Sequence, residues 1–403
     1  MKKTILLSMI SSSLLVATNG DNLISLGAES RSMGGTGIAM GMGTDSVFKN
    51  PSWLTDVKGT KAMFGSTFFM SDVKARNGNA NNQWASSKAD TSLIPSVSHA
   101  SRISKNWAYG IGMFGVSGMG TDYRGEEQEK GLSSMRTSFQ YLRMVPSIAY
   151  KEENLRLGFG LTFAYGALDL DAILPTNPND TNSYRQRGSG MSDDFGFGFQ
   201  LGTAYNITPQ INLGAYYQSK VDTEYENIFD FNMDGKYDNL KLSQPAEYGI
   251  GIGYKKYPYR GSIEIRDILW SQADGYKSFG WDDQTVIALG GGYFIKPKLE
   301  LRIGYSHANS PIDSNFKQAT IGGTQMPSSS VAFFNIMGFP AISTEHITAG
   351  LGYMLNNEVS LDLAYVYSPQ ESLSAMNMEV KNSQNSITAT LKYNFNSLMS
   401  YYK

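Results

Sequence analysis

The sequence predicts an all-β protein, a transmembrane antiparallel β-barrel of about fourteen strands with an N-terminal hatch plugging its lumen. Three observations carry that expectation. The chain opens on an export signal, no later apolar run reaches the roughly 18 residues of a spanning helix, and period-2 alternation recurs along most of the remaining residues.

The signal is read from Met1-Lys2-Lys3 and the apolar stretch from Ile5 to Ala17. A short cationic head before an apolar core too short to anchor in a bilayer is a secretory leader. Small residues at Ala17 and Gly20 place the cleavage near 18 or 21, so 1–20 is assigned as signal peptide, 21–58 as hatch and 59–403 as barrel. The chain of 403 residues has no cysteine, which excludes disulfides and thiol chemistry. A net charge of −2 excludes a strongly basic nucleic-acid binder. Glycine (42), tyrosine (24) and phenylalanine (20) are abundant, as expected of strands that are apolar on one face only.

Alternation is clearest in 155–166, where Leu155, Leu157, Phe159, Leu161, Phe163 and Tyr165 oppose a face of glycine and small or polar residues. Residues 194–205, 359–367 and 387–395 repeat it. Ten or so residues of period 2 match a tilted strand crossing a bilayer. Such runs lie near 62–70, 93–103, 107–117, 139–150, 155–168, 193–207, 211–225, 245–257, 259–271, 283–296, 299–309, 344–356, 359–369 and 385–395. Short connections such as 104–106, 208–210, 296–298 and 356–358 alternate with long ones such as 118–138, 169–192, 226–244 and 310–343. Short periplasmic turns and long outer loops are the rhythm of an outer-membrane barrel. A soluble β-sandwich also alternates, but without so regular an opposition of large apolar to glycine or polar residues.

The stretch "SMGGTGIAMGMGTDSVFKNPSWL" (32–54) precedes the first strand. A dinucleotide turn needs G-x-G-x-x-G. Counting from Gly35 the third glycine falls on Met40, and counting from Gly41 it falls on Ser46, so the phosphate reading fails. Bare backbone at Gly34, Gly35 and Gly37 suits instead a segment that turns tightly inside a crowded lumen. In "WAYGIGMFGVSGMG" the large residues switch parity between Met113 and Phe114, amid Gly110, Gly112, Gly115 and Gly118. That pattern predicts a kink or bulge in the third strand; an ordinary bulge at a barrel rim is the plainer alternative.

Residues "LGAESRSMGGTGIA…DSVFKNPSWL" resemble the hatch of the FadL-like outer-membrane transporters of fatty acids and hydrocarbons, down to an Asn-Pro-small triplet, Asn50-Pro51-Ser52. The resemblance continues through 263–312 and 346–369 and fades between about 70 and 240. It departs at Ser52, where alanine is usual, and in a C-terminus running past Phe395 to Lys403. The resemblance implies a monomeric fourteen-stranded barrel in the bacterial outer membrane, surrounded by its lipid. Passive uptake of a long-chain fatty acid or hydrocarbon would proceed by capture in apolar outer loops and sideways release. The release gap is implied at a kink in the third strand facing the triplet. A diffusion porin or structural barrel for small polar solutes is the alternative.

Capture needs apolar surface, since each CH₂ moved out of water gains about 0.8 kcal/mol. Ile173 and Leu174 supply some of it, and Phe333, Phe334, Ile336, Met337 and Phe339 more; the second run could equally fold into the lumen as a constriction. Arg156, Arg266 and Arg302 point inward and could hold a substrate carboxylate, or could pair with lumenal acids such as Glu264 or Glu300. Asp230, Asn232, Asp234 and Asp238 have part of the spacing of a calcium loop, with Lys241 where its glutamate belongs, and also fit an ordinary polar turn. No other cofactor is indicated. The three histidines lack metal-ligand spacing, Ser306 and His307 face opposite ways along a strand, and no G-x-S-x-G occurs, so no enzyme is expected.

Overall fold

The computed structural model describes residues 18–177 and 180–395. The expected signal segment, through residue 17, and the tail beyond Phe395 lie outside the described residues.

Fourteen antiparallel strands close into a barrel. They are β1 (Thr60–Asn77), β2 (Thr91–Arg102), β3 (Trp107–Asp122), β4 (Arg136–Glu152), β5 (Leu155–Asp171), β6 (Ser192–Asn206) and β7 (Ile211–Gln218). The ring continues with β8 (Glu247–Lys256), β9 (Tyr259–Ile268), β10 (Gln284–Lys296), β11 (Leu299–Ala308), β12 (Glu345–Met354), β13 (Val359–Ala375) and β14 (Met378–Asn394). Each strand pairs with its neighbours in sequence, and β14 pairs with β1 from Met378↔Asn77 to Asn394↔Lys61. Closure leaves the ring without a terminal edge strand. The outward face carries the large apolar side chains, including Phe64, Phe159, Phe197, Ile250, Ile303 and Ile387, all exposed in the isolated chain.

The strand count matches the alternation, and the strands fall where it places them, although β1, β13 and β14 run six or seven residues further at their outer ends than the expected 62–70, 359–369 and 385–395. The seventh strand, expected over 211–225, is instead shorter. It ends at Gln218, and Glu224–Phe229 leaves the wall to pair with Asp238–Lys241 in a separate hairpin. Alternation persists as far as Tyr225 because Ser219, Val221, Thr223 and Tyr225 are buried while Lys220, Asp222 and Glu224 between them are not.

Residues 18–58 are buried within the ring. Two short helical turns, Ala28–Arg31 and Ser46–Lys49, and a 3-10 turn, Pro51–Asp56, are joined by the glycine-rich stretch. Its bare backbone does cradle an anion, but one supplied by the wall. The Glu264 carboxylate of β9 accepts hydrogen bonds from the backbone N–H groups of Gly37 (2.9 Å), Ile38 (2.9 Å) and Ala39 (3.1 Å). Successive N–H groups converging on one anion form a nest. Gly34, at φ 69°, donates its N–H to Thr348 of β12 and lies so close to β11 that a side chain on Gly304 would collide with it.

Charge pairs complete the docking. Glu29 pairs with Arg260 of β9 (2.7 Å) and with Lys392 of β14, and Glu247 of β8 lies 3.0 Å from Arg266 and 3.7 Å from Lys49. All six side chains are buried or nearly so, a setting in which removing one partner is costly. Glu264→Ala should therefore leave three buried N–H groups without an acceptor and cost about 3 kcal/mol of hatch docking. Hydrogen exchange at Gly37–Ala39 should accelerate on the order of a hundredfold while the strand amides keep their protection.

Candidate functional site: the lumen and the seam beside the third strand

The ladder between β2 and β3 runs from Arg102↔Ala108 to Ser96↔Phe114 and stops. Beyond it β3 continues to pair with β4 as far as Asp122↔Arg136, with a bulge between Gly115 and Ser117. On the other side Thr91–Pro95 of β2 pairs only with β1. The wall is thus unzipped between β2 and β3, and the unzipped part of β2 ends at Pro95, which has no N–H to offer a ladder. The parity switch at Phe114 has its counterpart here: Tyr109, Ile111 and Met113 are exposed, whereas every residue from Phe114 to Thr121 is buried.

The freed edge of β3 is covered from inside by the start of the hatch. Asn22 pairs with Ser117, and Gly118 donates its N–H to the Asp21 carbonyl (3.2 Å). Phe48 of the hatch packs edge-on against Phe114 at 5.6 Å. Gly110 and Gly112 belong to the regularly paired part and face Val47 of the hatch, and Gly115 faces Ile94.

Asn50-Pro51-Ser52 lies elsewhere. Its backbone sits against Gly158 of β5 and Gly202 of β6, where any side chain would collide with it. The Asn50 amide donates to the carbonyls of Ile38 (2.7 Å) and Thr203 (3.1 Å), and its oxygen accepts from the Ser52 hydroxyl (2.7 Å). The expected juxtaposition of triplet and third-strand gap is corrected by this geometry: Asp21–Leu23 meets the gap, and the triplet fastens the hatch to the wall between β5 and β6.

The inward arginines, for which the sequence leaves a substrate carboxylate and a lumenal acid both open as partners, each hold an acid of the chain. Arg156 binds Asp56 (3.0 Å) and lies over the Trp53 ring, Arg266 binds Glu247 (3.0 Å), and Arg302 binds Asp362 (2.5 Å) and Glu300 (2.7 Å). Burial demands such pairing. The sequence reading missed Arg143 of β4. It is buried, its guanidinium stacks over Phe48 and Tyr141 at 5.9 and 5.5 Å, and it donates to Gln218. No carboxylate among the described residues pairs with it, and its Nε has no acceptor. A lone inward cation on a strand without a nearby inward acid is the signal that would have singled it out.

Above the hatch the lumen is aromatic. The run expected on the outer surface turns inward as a helix, Ser328–Phe333, followed by a wider turn, Phe334–Gly338. Phe334, Ile336, Met337 and Phe339 are buried and Phe333 is half-buried, so the constriction is the form this loop takes. Thr121 and Thr137 donate to the carbonyls of Met337 and Gly338, and Asn335 joins Trp281 (2.8 Å) to the Phe279 carbonyl (2.9 Å). The Phe334 ring meets Phe229, Phe231 and Phe279 at 5.7–6.1 Å. Ile173 and Leu174 are half-buried on a short outer hairpin, with Leu174 packed on the same cluster. Beneath the aromatic lid lies a small void of about 10 Å³, lined by Met119, Tyr276, Phe279 and Phe339 among others.

The acidic turn holds its own counter-charges. Asp230 pairs with Arg187 (2.7 Å) and Arg185 (2.8 Å), Asn232 accepts from the Asp234 N–H, and Asp238 accepts from the Phe231 N–H. No group of three or more acidic, histidine or cysteine side chains able to hold a metal occurs among the described residues. These contacts are those of an ordinary polar turn. His307 sits on the exposed face beside Glu345 (3.0 Å), while Ser306 is buried on the opposite face.

A closed barrel of lipid-crossing strands with a filled lumen and a break in its wall defines an outer-membrane transport protein. A family model described as outer membrane protein transport protein (OMPP1/FadL/TodX) matches residues 22–332, and the chain belongs to that family. It is therefore an outer-membrane protein and not an enzyme. It is 22% identical over 350 residues to the long-chain fatty acid transport protein of Escherichia coli O6:H1, covering 74% of this chain and 73% of that one. Outer membrane protein P1 of Haemophilus influenzae is 20% identical over 356 residues, covering 76% and 72%. Among solved structures, the Pseudomonas putida toluene transporter TodX superposes with a TM-score of 0.71 at 21% identity, covering 94% of this chain and 100% of that one. A Pseudomonas aeruginosa FadL homologue gives 0.72 at 13%, with the same coverage.

Asp21 gives the seam a titratable latch. It is fully buried, accepts from the Tyr276 hydroxyl and from Gln244 (3.2 Å), and burial pushes its carboxyl up to about 6 from 3.8. A raised folded-state value stabilises the docked segment fully below pH 3.8, and that contribution is lost as the pH rises through about 6. Exchange at the Gly118 amide should quicken over that interval in the native protein, and Asp21→Asn should abolish the pH dependence.

Proposed function

We propose that this chain is a passive uptake transporter for hydrophobic compounds, long-chain fatty acids or hydrocarbons, that releases its cargo sideways into the membrane through the β2–β3 seam. The observation carrying the reading is that β2 and β3 stop pairing at Ser96↔Phe114 and that Asp21–Leu23 of the hatch lies along the freed edge of β3, whereas every other pair of neighbouring strands is laddered along its shared length, interrupted at most by a bulge or a short break. The functions that the relatives are named for, long-chain fatty acid transport in one and toluene transport in another, agree with an apolar cargo.

In this reading cargo partitions first onto the aromatic mouth around Phe279, Phe333 and Phe334. The lid must swing aside, because the void beneath it is far smaller than an acyl chain. A carboxylate head then meets Arg143, a buried cation without an ion-pair partner among the described residues, whose stacking on Phe48 links it to the hatch and through Phe114 to the seam. The tail faces apolar side chains throughout, and departure through the wall spares it from water. The protein acts as a monomer, since the lumen, hatch and seam are complete within one chain.

A disulfide tests the route in a protein that has no cysteine of its own. A Cβ placed on Gly115 lies 4.0 Å from the Ile94 Cβ, within the span a disulfide bridges. The oxidised Ile94→Cys/Gly115→Cys protein should lose uptake of a labelled long-chain fatty acid and regain it on reduction. Undiminished uptake with the bond intact would sink the lateral route. Large steady ion conductance by the native protein in planar bilayers would instead favour a diffusion porin.

A further inference from the structure

The outer rim of the wall carries a basic pair that transport leaves unexplained. Along β1 the outward side chains run from Phe64 and Phe68 to Asp72, Lys74 and Arg76, so the charges begin where the apolar band ends. Along β14 the outward row passes from Leu391 and Ile387 to Lys381 and Glu379 in the same way. This end of both strands is the long-loop end, which in outer-membrane barrels faces the cell exterior. The height is that of the outer-leaflet headgroups.

Lys74 and Lys381 stand directly opposite each other in the β1–β14 ladder, and the row extends to Ser86 on one side and Ser372 on the other. Like charges directly opposite across strands repel. Asp72 offsets Lys74 at 2.9 Å, and Glu379 is occupied by Arg76 at 2.5 Å. Lys381 has no carboxylate partner among the described residues. Its ammonium lies 4.5 Å from the centroid of the Trp84 ring, and the Arg76 guanidinium lies over the same ring at 4.9 Å. The indole thus holds two cations near each other without neutralising either of them.

We propose that Lys74 and Lys381, braced by Trp84 and flanked by the Ser86 and Ser372 hydroxyls, bind the phosphate group of an outer-leaflet lipid. A phosphate between the ammonium groups removes their repulsion and accepts from all of these donors. The lipid's acyl chains then run down the same outward rows to the exposed apolar face at Phe68 and Ile387, six residues along each strand. A headgroup, rather than a free phosphate, is favoured by that continuity of charge with apolar wall.

The test uses full-length protein purified in a neutral detergent, mixed with lipid A or phosphatidylcholine and read by native mass spectrometry. The native protein should retain lipid A in preference to phosphatidylcholine. Lys381→Ser and Lys74→Ser should each lower retention about fivefold, and Lys381→Arg should restore it. Lys255→Ser, at the opposite rim, should change nothing, and heat-modifiable gel mobility will confirm that every variant is folded. Equal retention by the serine variants would overturn the proposal. So would displacement of lipid A by inorganic phosphate at concentrations that match its binding to lipid-free protein, since that marks a free-phosphate site.

Discussion

The placement of the hatch hangs on one buried carboxylate. Glu264 points from β9 into the lumen, where an anion is tolerated only if donors surround it. Gly37, Ile38 and Ala39 supply them, and in doing so they fix the Ile38 carbonyl. That carbonyl in turn accepts from both Asn50 and Trp53. Asn50 caps the turn that sets Asp56 against Arg156 of β5. A chain of hydrogen bonds therefore crosses the barrel from β9 to β5 through the hatch, and the glycine-rich stretch is its first link.

The lumen divides by chemistry along its axis. The lower half is a lattice of matched charges, in which Glu29, Glu300 and Asp362 answer Arg260, Arg302 and Lys392. The upper half is aromatic and closed. Arg143 stands at the boundary, a cation without a carboxylate partner among the described residues, stacked on Phe48 of the hatch. An amphipathic cargo meets an apolar mouth before a charge, an order that suits capture of the tail ahead of the head.

Much of the architecture was legible because lipid on one side and packed lumen on the other impose a strict period of 2. That same rule misled at Ser219–Tyr225, where the loop leading into the hairpin imitates a strand. The inward direction of Arg156, Arg266 and Arg302 was legible, but their partners were not: pairing depends on register and on hatch residues distant in sequence. Nor could the chain alone reveal which way the 331–339 run folds, since a capture surface and a constriction have the same composition. The kink was readable from the parity slip at Phe114. What covers it was not, because a single bridge between Asn22 and Ser117 leaves no mark in composition or spacing.

The hatch also constrains how the molecule is built. It is made before any strand, yet its contacts lie on strands spread around the ring, including Ser386 and Lys392 of the last one. Its binding surface does not exist in full until β14 meets β1. The Glu29–Lys392 pair joins the hatch directly to the last strand of the ring. A chain lacking its final strand would lose the Ser386 and Lys392 contacts of the hatch while keeping those to β5, β6, β9 and β12.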